Sequence, residues 1–465
     1  MGELLRKRSN VGEALSELGL LLGNRLSTNV SLLTTHGRGE AFHPDMMPDA
    51  VAFPLNTEDV ANIVRICATH KMPVIAFGAG TSLEGNVAAP FGGVSLDMSE
   101  MNAVVAIRPG DLDCTVQPGV TREQLNDALR HEGLFFPIDP GANATIGGMC
   151  ATRASGTNAV RYGTMRDVVL WLQVVLADGS IIRTGRRARK TAAGYDLTRL
   201  LVGSEGTLGV ITEIGLRLHG RPEATAVATS GFDSLNGAID TVVQIMQIGV
   251  PIARVEFLDT LQVQAINAYS HTDLAERPTL MFEFHGSAAG VQEQCETVES
   301  LAEVNGGQGF SWATLTEDRN ALWKARHNAY YAAQALRAGS QLVVTDVCVP
   351  ISALTECIGD THADIQATGL TAPIVGHVGD GNFHVMISVD PDNPEEIEAV
   401  RGFNSRLVDR ALALDGTCTG EHGIGLGKQD KLVAELGLGT VDVMRRIKQA
   451  LDPEDILNPG KIFSA

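Results

Sequence analysis

Gly78-Ala79-Gly80-Thr81-Ser82-Leu83-Glu84-Gly85-Asn86 is the stretch that decides between fold classes. It follows an apolar run, Pro73–Phe77, that reads as a strand, and no helical periodicity follows it, so it is a loop. Gly78, Gly80 and Gly85 let successive backbone N–H groups point one way, and such concavities bind anions. Thr81, Ser82 and Asn86 add hydroxyl and amide partners; the plain alternative is a surface turn. A dinucleotide fingerprint would need glycine where Leu83 stands, and a helix directly after the loop. A P-loop fails because Gln429 follows Gly427-Lys428 and His422 takes the upstream glycine's place. A nucleophile elbow fails at Val202, before Gly203-Ser204.

Working outward, three more loops of this kind follow. They are Asp139-Pro140-Gly141-Ala142-Asn143-Ala144-Thr145-Ile146-Gly147-Gly148, then Ala154-Ser155-Gly156-Thr157 running to Arg161-Tyr162-Gly163, then Gly203-Ser204-Glu205-Gly206-Thr207-Leu208-Gly209. As a set they suggest a long ligand gripped along its length by main chain. Around them short strands alternate with helices: strands at Ala50–Phe53, Val94–Asp97 and Val104–Ile107, helices at Asn56–Ala68 and Thr121–His131. Asp178-Gly179 reads as a hairpin turn between Trp171–Ala177 and Ser180–Thr184. An N-terminal helix is expected over Val11–Leu26, then a polar connector. After about Pro222 the pattern becomes β-α-β twice over: Thr225–Thr229, Ser234–Ile248, Ala253–Leu258, then Leu280–His285, Gly290–Val304, Phe310–Ala313. That is the grammar of a ferredoxin-like unit. A long helix, Thr316–Leu336, is expected next, and two helices close the chain.

The motifs "GAGTSLEG", "DPGANATIGG", "SGTNAVRYG" and "GSEGTLGVIT", with "P-x-x-V-x-x-P" from Pro48 to Pro54, resemble the FAD domain of the vanillyl-alcohol-oxidase and para-cresol-methylhydroxylase superfamily. The resemblance implies that Gly78, Gly80, Thr81, Ser82, Leu83, Glu84 and Gly85 hold the FAD pyrophosphate. It implies that Pro140, Gly141, Thr145, Gly147, Gly148, Ser155, Gly156, Tyr162, Gly163, Gly206 and Ile211 line the ribityl chain and flavin ring. Relatives that bind FAD covalently do so through a histidine in the first loop. Thr81 and its neighbours include none, so FAD is expected to be non-covalent.

A second informative region is Gly376-His377-Val378-Gly379-Asp380-Gly381-Asn382-Phe383-His384. If Asp380-Gly381 makes a two-residue turn, His377 stands opposite His384 on one face, with Cβ atoms about 5 Å apart. Two imidazoles could then share a metal. Thr417-Cys418-Thr419-Gly420-Glu421-His422-Gly423-Ile424-Gly425 follows, with an acid and a histidine among glycines. Two histidines and a carboxylate make a three-ligand set with an open position, as catalytic metals require. A structural histidine is the plain reading of any one of them. Adjacent Glu421 and His422 are expected to point to different sides of an extended chain.

These segments resemble the C-terminal domain of FAD-linked oxidases in the D-lactate and D-2-hydroxyglutarate dehydrogenase branch. The resemblance implies His377, His384 and Glu421 as ligands of a zinc or manganese ion and His422 as the catalytic base. It places Asn458, in the tail "LDPEDILNPGKIF", back at the flavin. The implied chemistry is oxidation of a D-2-hydroxy acid, D-lactate above all. A metal would lower the hydroxyl pKa, a histidine takes the proton at neutral pH, and flavin N5 takes the hydride. Arg326, in a "W-x-x-R" setting, is the expected bidentate partner of the substrate carboxylate, and Asn382 a second polar contact. Near Gln341–Cys348 the D-2-hydroxyglutarate enzymes carry an extra basic residue; Leu342-Val343-Val344-Thr345 is apolar, which favours a small substrate. A D-2-hydroxyglutarate dehydrogenase, a glycolate oxidase FAD subunit and a non-redox FAD-dependent alkyl transferase stand as alternatives. The last carries a histidine triplet where Gly420-Glu421-His422 stands here.

The expected architecture is α+β in four segments: an N-terminal helix and connector (1–45), an FAD-binding domain (46–222), a ferredoxin-like substrate domain with an antiparallel sheet and the metal site (223–427), and a C-terminal helical segment returning to the flavin (428–465). At 465 residues such a chain buries large cores without staples. Its net charge of −19 repels nucleic acid and anionic membranes over most of its surface. An anionic substrate therefore needs a local cation. Seven cysteines, odd in number and with no C-x-x-C, argue against a disulfide framework or an iron–sulfur cluster. No stretch approaches about 18 apolar residues, and no secretory signal pattern is visible. A cytoplasmic enzyme is expected, at most peripheral on the inner membrane, with a cytochrome, quinone or electron-transfer flavoprotein as acceptor; a homodimer is compatible. The run Arg183, Arg186, Arg187, Arg189, Lys190 reads either as a solvated loop or as a docking patch for that acceptor.

Overall fold

The computed structural model describes residues 10–40 and 43–464. The chain folds into two compact units. The first takes residues up to Ser155, Gly163–Arg221 and everything from Glu421 onward; the second takes Gly156–Tyr162 and Pro222–Gly420. The segments before residue 46 and after 427 therefore both belong to the first unit.

The first unit holds two sheets and a ribbon. β1 (Leu26–Ser27), β2 (Ala50–Ala52), β3 (Val74–Phe77) and β4 (Val94–Asp97) form a sheet in the order β1-β2-β4-β3, with β2 and β3 parallel to β4. β2 and β4 are buried along their whole length, the usual state of parallel strands covered on both faces. Helix Thr57–Thr69 connects β2 to β3, and Asn56 caps it by accepting from Asp59 N–H at 2.9 Å. β5 (Val104–Arg108), β6 (Asp113–Val116), β7 (Leu134–Phe135), β8 (Val169–Val175), β9 (Ile181–Arg183), β10 (Val210–Arg217) and β11 (His219–Gly220) follow. The antiparallel order is β5-β6-β10-β8-β9, with β7 and β11 as the ribbon. Helix Arg122–Leu129 opens on a capping box, Thr121 with Gln124. The expected N-terminal helix is shorter than Val11–Leu26. It ends at Leu22 because Gly23 leaves helical space (φ 57°, ψ −123°), and the freed residues form β1 on the edge of β2. The connector holds a further helix, Val30–Gly37, capped by Asn29.

The second unit is built on one antiparallel sheet. Its strands are β12 (Ala224–Phe232), β13 (Ile252–Leu258), β14 (Thr279–Gly286), β15 (Gly307–Ala313), β16 (Gln341–Val344), β17 (Val347–Cys348), β18 (Ile374–Gly376) and β19 (Asn382–Val389). They run in the order β15-β12-β14-β13-β18-β19-β16, with β17 also on β19. The first four give the ferredoxin-like order that the doubled β-α-β predicts, with helices Leu235–Gln247 and Ala288–Val304 as the crossovers. Leu280, Phe282 and Phe284 alternate with Met281, Glu283 and His285 along β14, so opposite faces carry apolar and polar sets.

Three helices cover the polar face. Thr260–Ser270 is absent from the sequence reading; its Gln262, Gln264 and Asn267 blur any apolar stripe, although Asp259 caps it at 2.7 Å from Gln262 N–H. The long helix expected over Thr316–Leu336 is two helices, Thr316–His327 and Ala329–Ala335. Asn328 (ψ 1°) ends one and begins the next, donating to Lys324 O at 3.1 Å and accepting from Ala332 N–H at 2.8 Å. Asparagine competes with helix continuation in this way. Trp323, Ala325, Ala329 and Ala333 pack with Leu258, Val263, Ile266 and Met281 into one core.

Candidate functional site

In the first unit the glycine loops converge. A Cβ on Gly78 would lie 2.2 Å from Thr145 Oγ1, so the first and second loops touch there. Gly80 and Gly85 both sit at φ +72°, where glycine is favoured. Ser82 Oγ and Thr145 Oγ1 are buried hydroxyls with no hydrogen-bond partner in the protein. Buried orphans of this kind are rare and mark groups set for a polar ligand. Both fit the phosphate-bearing cofactor that the loop composition implies. Gly147 has another reason: a side chain there would meet Pro118 at 2.5 Å. Pro140, Gly141, Gly148, Ser155, Gly163 and Ile211 also lie in this unit, whereas Gly156 and Tyr162 belong to the second.

Glu84, expected at the cofactor, is an anchor. Its carboxylate pairs with Lys428 Nζ at 2.9 Å, and its carbonyl accepts from Leu426 N–H at 2.8 Å. Glu205 was not singled out by the sequence and does as much. Buried and at φ +52°, it accepts from Ile424 N–H at 2.8 Å, Gly425 N–H at 2.9 Å and the Asn86 amide at 2.5 Å. Burial raises its pKa, and these donors pull against that rise. Asn458, at φ +41°, donates to the carbonyls of Asn86 (3.0 Å) and Glu205 (2.7 Å), so it joins the first loop to the fourth. Lys461 donates to Ala88 O at 2.6 Å. Burial brings its pKa down to about 7 against the attraction of Glu205.

In the second unit, β13 presents Glu256 on the polar face. Fully buried, it accepts from Arg326 Nε (2.9 Å) and Nη2 (2.5 Å) through one oxygen and meets His377 Nδ1 at 2.7 Å through the other. Burial opposes its charge, but His377 and Arg326 outweigh burial and hold the carboxyl below its ordinary range. Arg326 is thus committed through two of its nitrogens. A guanidinium has five N–H groups, so the two Nη1 hydrogens and the second Nη2 hydrogen are not spent on Glu256.

The two-residue turn is also corrected. Val378–Asp380 makes a 3-10 turn closed by Gly381 at φ 80°, and Val375, not His377, stands opposite His384. The register is displaced by two residues. Because side chains alternate with period two, a two-residue slip leaves both histidines on one face. They are diagonal neighbours with ring centroids 5.5 Å apart. His384 Nδ1 lies 2.9 Å from Thr345 O. That carbonyl is available because the strand expected over Gln341–Cys348 breaks between β16 and β17 at Thr345-Asp346.

Asp346 is buried there too. It accepts from Asn382 Nδ2 at 2.8 Å and Thr419 Oγ1 at 2.7 Å and lies 3.9 Å from His384 Nδ1. Asn382 gives the same amide group to Val347 O at 2.8 Å, while its Oδ1 is buried without a partner. A Cβ on Gly420 would lie 2.2 Å from Asn382 Nδ2, so the end of the second unit is seated against this cluster. Glu421 and His422 follow directly. They occupy a bend rather than an extended strand, and their carboxylate and imidazole approach to 4.0 Å. The expectation that they point to opposite sides of a strand does not hold for that reason. Ile424 and Gly425, just beyond, are the residues that Glu205 holds.

The basic run at 183–190 is largely tied down. Arg187 pairs with Asp111 (2.5 Å) and Asp113 (2.8 Å), and Arg183 lies 3.6 Å over the Trp171 ring. Among the described residues no helix is long and apolar enough to cross a membrane.

Residues 48–185 match the FAD binding domain, and 221–462 match the C-terminal domain of FAD linked oxidases. The chain belongs to the FAD-linked oxidases. Within that family it is 52% identical over 441 residues to "Probable D-lactate dehydrogenase, mitochondrial" of Danio rerio, spanning 94% of this chain and 89% of the relative. It is 46% identical to "D-lactate dehydrogenase [cytochrome], mitochondrial" of Arabidopsis thaliana, over 97% of this chain and 80% of that one. A glycolate oxidase subunit of Bacillus subtilis is 36% identical over 90% of this chain and 89% of its own. Among solved structures, p-cresol methylhydroxylase superposes with a TM-score of 0.80 at 20% identity, covering 97% of this chain and 96% of that one. At that identity the likeness shows the fold, and the fold is the one the loops imply.

Proposed function

We propose that this FAD-linked oxidase is a D-2-hydroxy acid dehydrogenase that converts D-lactate to pyruvate and hands the electrons to a cytochrome-type acceptor. The observation that carries the reading is the pair His377 and His384, each with Nδ1 already held by an acceptor, Glu256 Oε1 or Thr345 O. This arrangement aims Nε2 as the ligand atom and is how metal-binding histidines are oriented. Relatives named D-lactate dehydrogenase, 52% and 46% identical, supply the substrate.

The first unit is then the FAD-binding part and the second the substrate part. His377, His384 and Glu421 would hold a zinc or manganese ion, a nitrogen and carboxylate set suited to either. Bound FAD supplies the acceptor for the hydride from Cα, and a bound cation lowers the pKa of the substrate hydroxyl. His422 takes the hydroxyl proton, as an imidazole does at neutral pH. Glu205 fixes the bend that carries His422 by holding the two peptide N–H groups beyond Gly423. Arg326 keeps Nη1 and the second Nη2 hydrogen for the substrate carboxylate, and Asn382 Oδ1 is a candidate acceptor for a substrate hydroxyl. The stretch Leu342-Val343-Val344-Thr345 offers no cation for a second substrate carboxylate, which favours a small substrate.

The test is anaerobic mixing of the FAD-loaded protein with D-lactate, L-lactate, D-2-hydroxyglutarate and glycolate, with and without chelator, following flavin bleaching. D-lactate should bleach fastest, and chelation should slow it. Preference for L-lactate would overturn the stereochemical assignment, faster bleaching by glycolate would favour the glycolate oxidase subunit, and indifference to chelator would remove the metal. His422→Ala should keep FAD and lose reduction; intact reduction refutes the base.

A further inference from the structure

The break between β16 and β17 at Thr345-Asp346 brings a buried carboxylate up to the strand that carries His384. Asn382 and His384 stand two apart on β19, so their side chains share one face of the sheet. Each Asp346 oxygen accepts from a different element: Oδ1 from Asn382 Nδ2 at 2.8 Å, Oδ2 from the Thr419 hydroxyl at 2.7 Å. Oδ1 also lies 3.9 Å from His384 Nδ1, the nitrogen that Thr345 O holds at 2.9 Å. Asp346, Asn382 and His384 are all buried. A carboxylate is costly to bury unless donors meet its oxygens. Here each donor lies on a segment that leads to a candidate ligand.

The segment bearing Thr419 is laid against β17 by main chain. Thr417 N–H donates to Cys348 O at 2.8 Å, and a Cβ on Gly416 would meet that same oxygen at 2.5 Å. β17 therefore has β19 on one side and Thr417 on the other. The chain bends at Cys418, where Thr417 Oγ1 accepts from Thr419 N–H at 3.3 Å. Thr419 then turns its hydroxyl onto Asp346, two residues before Glu421. We propose that Asp346 is a positioning residue for a divalent cation site, acting through both of its partners. Through Asn382 it holds β19 beside His384, and through Thr419 it sets the course of the chain into Glu421. This rests on the functional reading above, in which His377, His384 and Glu421 hold the cation.

The test reads the zinc and manganese affinity of the FAD-loaded protein by competition with a chelating dye, beside the denaturation midpoint. Thr419→Val keeps the shape and removes the hydroxyl, whereas Thr419→Ser keeps the hydroxyl. Thr419→Val should bind the cation about tenfold more weakly, and Thr419→Ser should bind it as the parent does. Asp346→Asn should lose at least as much as Thr419→Val. The double variant should lose no more than Asp346→Asn alone, as for residues acting as one unit. Parental affinity in Thr419→Val, even with a lowered midpoint, would show a purely structural pair and overturn the proposal. Losses that multiply in the double variant, or a Thr419→Ser protein as weak as Thr419→Val, would do the same. Should Asp346→Asn fail to fold, the two Thr419 variants decide by themselves. A parent that binds neither zinc nor manganese refutes the cation reading, and the proposal falls with it; a parent that binds, with variants that bind equally well, refutes the proposal alone.

Discussion

Glu256 has two obligations, a buried guanidinium on one oxygen and an imidazole on the other. Glu256→Gln keeps the shape but removes the charge that Arg326 faces. Leaving a buried cation unpaired costs about 3–5 kcal/mol. Loss of a ligand-orienting carboxylate weakens metal affinity about 10–100-fold. The variant should therefore unfold earlier in denaturant and, at the proposed metal site, give up zinc or manganese to weaker chelators; parental affinity in a chelator competition would show that His377 needs no such support. Asp259 makes a prediction about pH. Burial raises its pKa from 3.8 to about 7, so the native state keeps a proton that the unfolded chain releases. Stability must then fall as pH rises from about 4 toward 7 and level off above. Asp259→Asn keeps the helix cap and should flatten that fall, as measured by denaturation midpoints across the range. None of this was legible in the sequence. Glu256, Asp346 and Glu205 sit at ordinary strand and loop positions, and partners 36 or more residues away make them matter, while Asp259 caps a helix from three residues before Gln262 but carries no sign of its burial. The histidines were legible because glycine and aspartate around them announce a turn.

At the level of elements, the hairpin shows why a wrong register can still give a correct face. The local pattern proposed two residues in the turn; the structure uses a 3-10 turn and slips the pairing by two. Alternation forgives an even slip and would not have forgiven a slip of one. Gly381 is the residue that sets this turn. A Cβ there would lie 2.0 Å from the Val349 carbonyl oxygen, at φ +80°. Gly381→Ala should cost about 1–2 kcal/mol for the backbone conformation and about 1–3 kcal/mol for overpacking. It should also disturb the His377–His384 pair, so cation affinity falls along with the denaturation midpoint; an unchanged midpoint would mean the turn is not under this constraint. The ferredoxin-like strand order was readable because its crossover helices are strongly periodic. Helix Thr260–Ser270 was not, since its buried Gln262 donates to Ala329 O rather than adding to an apolar stripe. The break at Asn328 was missed for the complementary reason: alanine-rich flanks mask a residue that caps both helices.

For the molecule as a whole, the division into two units follows from where each core closes, and the first takes in the segment from Glu421 onward. Asn458 ties two glycine loops together and Lys461 holds a carbonyl beside the first. A chain truncated after Leu457 should fold its second unit and purify with little or no flavin, as read from the ratio of visible to ultraviolet absorbance; full FAD content would show the tail to be dispensable. The four glycine loops were readable as a set, whereas the return of Asn458 came only from the family resemblance, since an Asn-Pro tail by itself carries no mark of what it will reach. Its consequence concerns birth rather than catalysis. During synthesis the nascent polypeptide emerges with its cofactor cradle laid open, and the cradle stays unlatched until Asn458 and Lys461, which lie 372 and 373 residues beyond their partners Asn86 and Ala88, have left the ribosome. Flavin loading would then wait for that segment, and a ribosome stalled before Asn458 would display a colourless protein.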